Sequence, residues 1–89
     1  MKSIVYARQF KKDHKRAIKR GYDLDKLKFV LGLLVQNKDL PHSYRVHKLS
    51  GNYEGLWECH LEPDWLLIYE YTSKELRLRR MGTHADLFD

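Results

Sequence analysis

Residues 56–71, LWECHLEPDWLLIYEY, decide how this chain folds. The first part alternates in the manner of a strand, so that Glu58 and His60 lie on the same face. Glu62-Pro63-Asp64 is typical of a turn. Trp65–Tyr71 is apolar almost throughout, as a strand is when both of its faces are covered. The stretch therefore predicts two antiparallel strands, the second of them central in its sheet.

Three further strands and two helices are predicted around this pair, followed by a polar tail over Gly82–Asp89. The strands are Lys2–Tyr6, Tyr44–Leu49 and Glu75–Met81, and the helices run from Arg8 to Arg20 and from the cap Asp23 to Asn37. Tight turns between the last four strands allow only antiparallel neighbours. The expected fold class is α+β: a twisted antiparallel β-sheet with an N-terminal strand and a two-helix hairpin packed on one face. The other face is left for function.

The composition indicates one globular domain over residues 1–89. A hydrophobic fraction of 43% is ordinary for such a domain and supports a modest core. The single cysteine, Cys59, lies in an apolar run, which favours a buried thiol over a nucleophile. No apolar run is long enough for a membrane span and no signal peptide is recognisable, so we expect a soluble, cytoplasmic protein without a membrane partner.

Charge is concentrated at the start of the chain. Residues 1–22 hold eight basic side chains against the single acid Asp13, a balance of +7, while the remainder holds nine basic and eleven acidic ones, a balance of −2. A basic stripe of this kind attracts polyanions. Lys11, Lys12 and Lys15 are therefore candidates for contact with nucleic acid, although a solvated helix face would have the same composition.

Three histidines and one aspartate are the candidate catalytic residues: His47, His60, His84 and Asp64. Imidazole has an unperturbed pKa of about 6.5, so it can give or take a proton near neutral pH. Cleavage of an RNA backbone requires a base for the 2′-hydroxyl, an acid for the departing 5′-oxygen and cations for the phosphate. The histidines can serve as acid or base, and Asp64 can orient a ring or accept the proton itself.

Three more side chains are candidates for substrate binding. Arg80 has forked donors that suit a phosphate, and Trp65 and Phe88 are aromatic rings that can stack on unpaired bases. Each has a structural alternative, since Trp65 and Phe88 can belong to the core and Arg80 can protect a sheet edge from aggregation.

No metal or other cofactor is predicted. Three histidines and an aspartate are possible zinc ligands, but they come from four separate segments and form no compact motif.

The residues from His47 to Phe88 closely resemble the YafQ branch of the RelE/ParE toxin superfamily, the mRNA interferases of bacterial type II toxin–antitoxin modules. Three motifs carry the resemblance: His47-x-Leu49-x-Gly51, His60-x-x-Pro63-Asp64-Trp65-x-Leu67-Ile68-Tyr69 and Gly82-x-His84-x-x-Leu87-Phe88. The helical part is similar as well. The resemblance implies a RelE-like domain that enters the ribosomal A site and cuts mRNA there without a metal, which inhibits translation.

The resemblance also implies roles and partners. His47, His60, Asp64 and His84 match the functional positions of the family, as do Trp65, Arg80 and Phe88. We expect His84 to be the general acid, His47 or Asp64 the general base, and His60 an orienting or stabilising group. A cognate antitoxin is expected to bind and silence the toxin, and operator DNA is expected to be contacted only through that complex.

Two other functions fit the same fold. A ParE-like toxin poisons DNA gyrase and cuts nothing, and a non-catalytic RNA-binding or transcriptional module would need only the basic helix. Neither requires a cluster of acid–base side chains, so the histidine set favours the nuclease.

Overall fold

Five strands and three helices make up the fold, which a computed structural model describes for residues 1–88; Asp89 lies outside the described residues. The elements are β1 (Ser3–Tyr6), α1 (Arg8–Lys19), α2 (Leu24–Val35), β2 (His47–Lys48), β3 (Trp57–Glu62), β4 (Trp65–Tyr71), β5 (Glu75–Gly82) and α3 (His84–Phe88). The α+β class and the order of strand, helical hairpin and strands are confirmed.

The strands form one sheet in the order β1-β5-β4-β3-β2. The last four are antiparallel, as the tight turns require, but β1 pairs with β5 in parallel, with Ser3 opposite Glu75 and Tyr6 opposite Leu78. The sheet is therefore mixed. Turn length could not predict this, because the helical hairpin separates β1 from the other strands and a long connection permits either direction.

Strand β4 is buried on both faces, as its composition predicts. Leu67 packs with the helices on one face, whereas Leu66 and Ile68 pack with Leu87 of α3 on the other. These three β4 residues are all fully buried. Full burial of one such side chain contributes about 2 kcal/mol. A sheet covered on both sides at its centre holds the neighbouring strands, and with them the side chains of β3, in a fixed register.

The two helices cover one face of the sheet, and α1 packs mainly on β5. Gly21 ends α1 with a positive φ of 75°, a conformation that glycine adopts without strain. Asp23 caps α2, since its carboxylate accepts a hydrogen bond of 3.1 Å from the backbone N–H of Asp25. Among residues 1–88, no helix combines the length and apolar character that crossing a membrane would demand.

Two predicted segments differ from the structure. The strand expected over Tyr44–Leu49 is only His47–Lys48, because the chain forms a 3-10 turn at His42–Tyr44 and Arg45 then adopts a left-handed conformation with φ 48°. The expected polar tail instead contains α3 from His84 to Phe88. Both changes lie beside the candidate catalytic residues.

Candidate active site

Three of the predicted catalytic side chains lie in a row on the face of the sheet opposite the α1–α2 hairpin. His60, on β3, lies between the other two: its ring centroid is 6.2 Å from that of His47 and 5.9 Å from that of His84. The rings come from β2, β3 and the first residue of α3. The sheet and the short C-terminal helix thus bring together side chains that are distant in the sequence.

Asp64 joins this row as the partner of His84. One carboxylate oxygen, Oδ1, accepts a hydrogen bond of 2.8 Å from the backbone N–H of His84 and another from Nδ1 of its ring. These two hydrogen bonds lower the pKa of Asp64. An ionised Asp64 fixes the tautomer of His84, leaves Nε2 as the nitrogen available for chemistry, and stabilises the protonated ring.

Glu58 is a member of the site that the sequence reasoning missed. Its Oε1 lies 3.2 Å from Nε2 of His47 and 3.4 Å from Nε2 of His60, and the residue is only 4% exposed. A buried carboxylate is costly unless it is paired. The signal was present in the alternation of β3, which places Glu58 and His60 on one face, but the sequence did not show that His47 would lie opposite Glu58.

The backbone orients both of these histidines. Nδ1 of His47 lies 2.9 Å from the carbonyl oxygen of Arg45, and Nδ1 of His60 lies 3.4 Å from that of Pro63. A carbonyl oxygen can only accept, so each Nδ1 carries the proton and each Nε2 is directed at Glu58. The left-handed turn at Arg45 therefore helps to position a ring of the site.

Phe88 is the predicted aromatic contact whose ring remains accessible to a substrate base. It is 46% exposed at the end of α3, its ring meets that of Tyr53 edge-on at 5.5 Å, and its centroid is 6.4 Å from that of His84. An exposed ring beside the acid–base row is suited to stacking on a base.

The chain matches a known family along nearly all of its length. Residues 2–89 match the family model described as the bacterial toxin of type II toxin–antitoxin systems, YafQ. The chain belongs to this family. The predicted resemblance is thereby confirmed, and the protein is a toxin of a type II toxin–antitoxin system.

Relatives of known structure agree with this assignment. The chain is 48% identical over 88 residues to the mRNA interferase toxin YafQ of Escherichia coli K12, a match that covers 98% of this chain and 96% of the relative. It matches the E. coli DinJ–YafQ toxin–antitoxin complex with a TM-score of 0.91 and 47% identity, over 99% of this chain and 98% of that one. A metal-bound toxin from Helicobacter pylori matches with a TM-score of 0.92 and 39% identity, over 99% of this chain and 100% of that one.

Trp65 requires a correction, because in this YafQ family member it is a core residue. It is 2% exposed and packs on the helical side of β4, with its ring 4.9 Å from that of Tyr22. A buried ring cannot stack on a substrate base. The apolar run that predicted a central strand also buried this residue, so its structural alternative was the right one.

Arg80 also differs from its predicted role as a free phosphate clamp. Its Nε and Nη2 donate hydrogen bonds of 2.8 and 3.2 Å to the buried carboxylate of Asp13, which raises the pKa of Arg80. Asp13 lies beside the part of β5 that extends past the end of β1. There it accepts a hydrogen bond of 3.0 Å from the backbone N–H of Met81. Only Nη1 of Arg80 is outside this ion pair.

The three predicted lysine contacts do not join the row of rings. Lys11, Lys12 and Lys15 are exposed, but they lie on α1, which packs on the other face of the sheet. They cannot reach a phosphate held by the histidines, although their charge still adds to the basic character of the surface.

The helix that carries His84 is tied to α1 by charge. Thr83 and Asp86 form a reciprocal capping box, with hydrogen bonds of 2.9 and 3.1 Å, and Arg20 donates two more, of 2.7 and 3.2 Å, to the same Asp86 carboxylate. Arg20 and the capping bonds hold the pKa of Asp86 far below its usual range. A Cβ at Gly82 would lie 2.9 Å from Cβ of Asp86, so glycine is required for this close approach of α3 to β5.

Proposed function

We propose that this toxin is a metal-independent endoribonuclease that cuts mRNA in the ribosomal A site and thereby inhibits translation. The observation that supports this best is the row formed by His47, His60 and His84, with Glu58 between the first two rings and Asp64 bonded to the third. The name of the E. coli relative, an mRNA interferase, supports the same activity. A gyrase poison would need no such row.

His84 acts as the general acid. Its Nδ1 donates to Asp64, so Nε2 is the nitrogen that delivers a proton to the departing 5′-oxygen. Asp64 acts through His84: it stabilises the imidazolium before transfer and keeps the ring in place afterwards. Since hydrogen bonds to His84 lower the pKa of Asp64, that carboxylate is a poor base, which favours His47 for the other role.

His47 takes the proton from the 2′-hydroxyl, supported by Glu58. The 2′-oxygen then attacks the phosphorus, the bond to the 5′-oxygen breaks, and the products carry a 2′,3′-cyclic phosphate and a 5′-hydroxyl. The carboxylate of Glu58 stabilises the protonated ring of His47 at 3.2 Å. His60 lies between base and acid, where its protonated form offsets the charge that develops on the phosphate.

Substrate contacts are divided between near and distant groups. Phe88 stacks on a base next to the scissile phosphate, and Nη1 of Arg80, which is not bonded to Asp13, offers that phosphate its two N–H donors. Lys11, Lys12 and Lys15 attract ribosomal RNA from the opposite side of the toxin. The protein partners are then a cognate antitoxin, by analogy with the DinJ–YafQ complex, and the cytoplasmic ribosome with its mRNA. Operator DNA is contacted only through the antitoxin complex.

Mapping mRNA 5′ ends after tightly controlled expression tests the proposal. Wild-type toxin should produce cuts in phase with codons, and His84→Ala should remove them while the purified variant keeps the wild-type circular dichroism spectrum. His42→Ala is the matched control, because His42 is an exposed histidine outside the row. Growth arrest with intact mRNA and damaged DNA would refute the nuclease and favour a gyrase poison.

A further inference from the structure

A polar cleft opens beside the middle of the histidine row. Its volume of about 340 Å³ is within the range of small-ligand sites. Its walls come from the start of α2, from residues 43–45 before β2, and from the end of β3 with the turn that follows. His60 belongs both to the cleft and to the row. A substrate strand that lies over the row therefore has the cleft at its side.

The cleft has a net positive charge, and Arg45 carries it. Lys26 and Glu62, which also line the cleft, neutralise each other in an ion pair of 3.3 Å. Within residues 1–88 the guanidinium of Arg45 forms no ion pair or hydrogen bond, unlike that of Arg80, which is held by Asp13. An exposed guanidinium without an internal partner, beside the acid–base row, is suited to binding a phosphate.

The backbone of Arg45 relates this cation to one end of the row. Arg45 adopts a left-handed conformation, with φ 48° and ψ 52°, in which its carbonyl oxygen lies 2.9 Å from Nδ1 of His47. Such a conformation is uncommon for residues other than glycine, asparagine and aspartate. In the same conformation the side chain of Arg45 lines the cleft. One residue thus orients the proposed general base and supplies a cation at the His47 end of the row.

The proposed roles of the rings give the direction of the RNA strand. His47 deprotonates the 2′-hydroxyl of the nucleotide on the 5′ side of the scissile phosphate, and His84 protonates the 5′-oxygen of the nucleotide on the 3′ side. The strand therefore runs 5′ to 3′ from His47 over His60 to His84, where Phe88 meets the 3′ nucleotide. The next phosphate on the 5′ side then lies beyond His47, at the end of the row that Arg45 adjoins.

We propose that Arg45, in this cleft, binds the phosphate on the 5′ side of the nucleotide whose 2′-hydroxyl is activated. Arg45 is then a positioning residue: it holds that nucleotide so that its 2′-hydroxyl lies against His47. The direction of the strand rests on the nuclease function proposed above, but binding of the phosphate does not require cleavage.

Dinucleotides that cannot be cut test the binding. The probe is 2′-deoxyadenylyl-(3′→5′)-adenosine, whose internal phosphate takes the place of the scissile one, and it is compared with the same molecule carrying an added 5′-phosphate or 3′-phosphate. Each is titrated into the full-length chain, and affinity is measured from the NMR shifts of the His47, His60 and His84 rings. The 5′-phosphate should strengthen binding to the wild type by about three- to fivefold, as an exposed ion pair does. This gain should disappear at about 1 M salt.

Arg45→Asn is the decisive variant, because asparagine tolerates the left-handed backbone and removes the charge. It should lose the gain from the 5′-phosphate, while the effect of the 3′-phosphate and the His47 ring signals of the free protein stay as in the wild type. Arg45→Lys should keep most of the gain. Lys48→Ala is the matched control, since Lys48 lies outside the cleft, with Nζ 5.4 Å from the centroid of the Trp57 ring.

The gain is a ratio within each variant, so a general loss of affinity does not affect it. An equal gain in the wild type and Arg45→Asn would overturn the proposal, and so would the absence of any gain in the wild type. If Arg45→Asn lost the effect of the 3′-phosphate instead, the strand would run the other way and the assignment would be wrong. Binding as expected by a chain that never cuts mRNA would overturn only the nuclease.

Discussion

Asp13 and Glu58 are both buried carboxylates, but they are neutralised in different ways. Asp13 is 1% exposed and accepts hydrogen bonds from the permanently charged Arg16 and Arg80 and from the backbone N–H of Met81. Glu58 is 4% exposed, and its ion-pair partners within residues 1–88 are two histidine rings.

The difference separates a structural carboxylate from a functional one. Guanidinium groups stay charged at any physiological pH, so the Asp13 cluster holds α1 against β5 in every state of the protein. Imidazole is the side chain suited to exchanging protons with a substrate, so the partners of Glu58 can change their charge during a reaction. A buried charge whose partners can change is costly for stability and is therefore a marker of function.

Asp13→Ala should have the largest effect of the variants considered, a loss of about 3 kcal/mol in the free energy of unfolding, because it removes the buried acceptor that two cations and a backbone N–H share. Denaturant unfolding monitored by circular dichroism measures this. The control Asp39→Ala removes an exposed acid and should change the value by less than about 0.5 kcal/mol. If Asp13→Ala were as stable as the control, Asp13 would have no structural role.

Glu58→Gln should show the opposite behaviour. The free energy of unfolding should change by less than about 1 kcal/mol, since the amide removes a buried charge and its N–H can donate to a ring nitrogen. RNA cleavage should fall by about 100-fold, as expected when support for a general base is lost. Glu54→Gln, at an exposed position, is the control for cleavage. A variant that is unstable but fully active would place Glu58 in the same structural class as Asp13.

Arg20→Ala should have a smaller effect, confined to the position of α3. Loss of the two hydrogen bonds to Asp86 loosens the helix that carries His84, and cleavage should fall by about tenfold or less. The control Lys19→Ala removes a neighbouring exposed cation that does not bond Asp86. Broadened NMR signals of the His84 ring in Arg20→Ala, with sharp ones in Lys19→Ala, would show that the loss comes from mobility of α3. Equal activity in both variants would show that the Arg20–Asp86 contact has no role in cleavage.

The smallest effect expected is the contribution of Asp64 to the loss of folding stability at acid pH. Its pKa is lower in the folded chain than in the unfolded one, where it is about 3.9. The hydrogen bonds to His84 therefore stabilise the fold fully above that value, and this contribution is lost as the pH falls through the lower folded value. Thermal unfolding at pH 6 and pH 3 should show a slightly smaller acid-induced loss in Asp64→Asn than in the wild type; an identical loss would contradict the assignment.

Local pattern predicted a large part of the fold. The alternation of β3, the apolar run of β4 and the tight turn between them needed no information from elsewhere in the chain, and all three are present. Local pattern was less reliable in predicting which residues of a helix are buried. In α1, Phe10, Ala17 and Ile18 recur at the spacing of one helix face. Phe10 and Ala17 are buried, but Ile18 is 54% exposed, while Asp13 on the same helix is buried.

The amino-acid sequence by itself determined the α+β class, the antiparallel meander of the last four strands and the residue types capable of acid–base chemistry, because strand period, turn length and side-chain pKa are local properties. The tertiary structure alone decided that β1 runs parallel to β5, that Arg80 pairs with Asp13 and that Glu58 lies between His47 and His60. Each of these depends on contacts between segments distant in the chain, which form only when the sheet registers are set and the helices have covered one face.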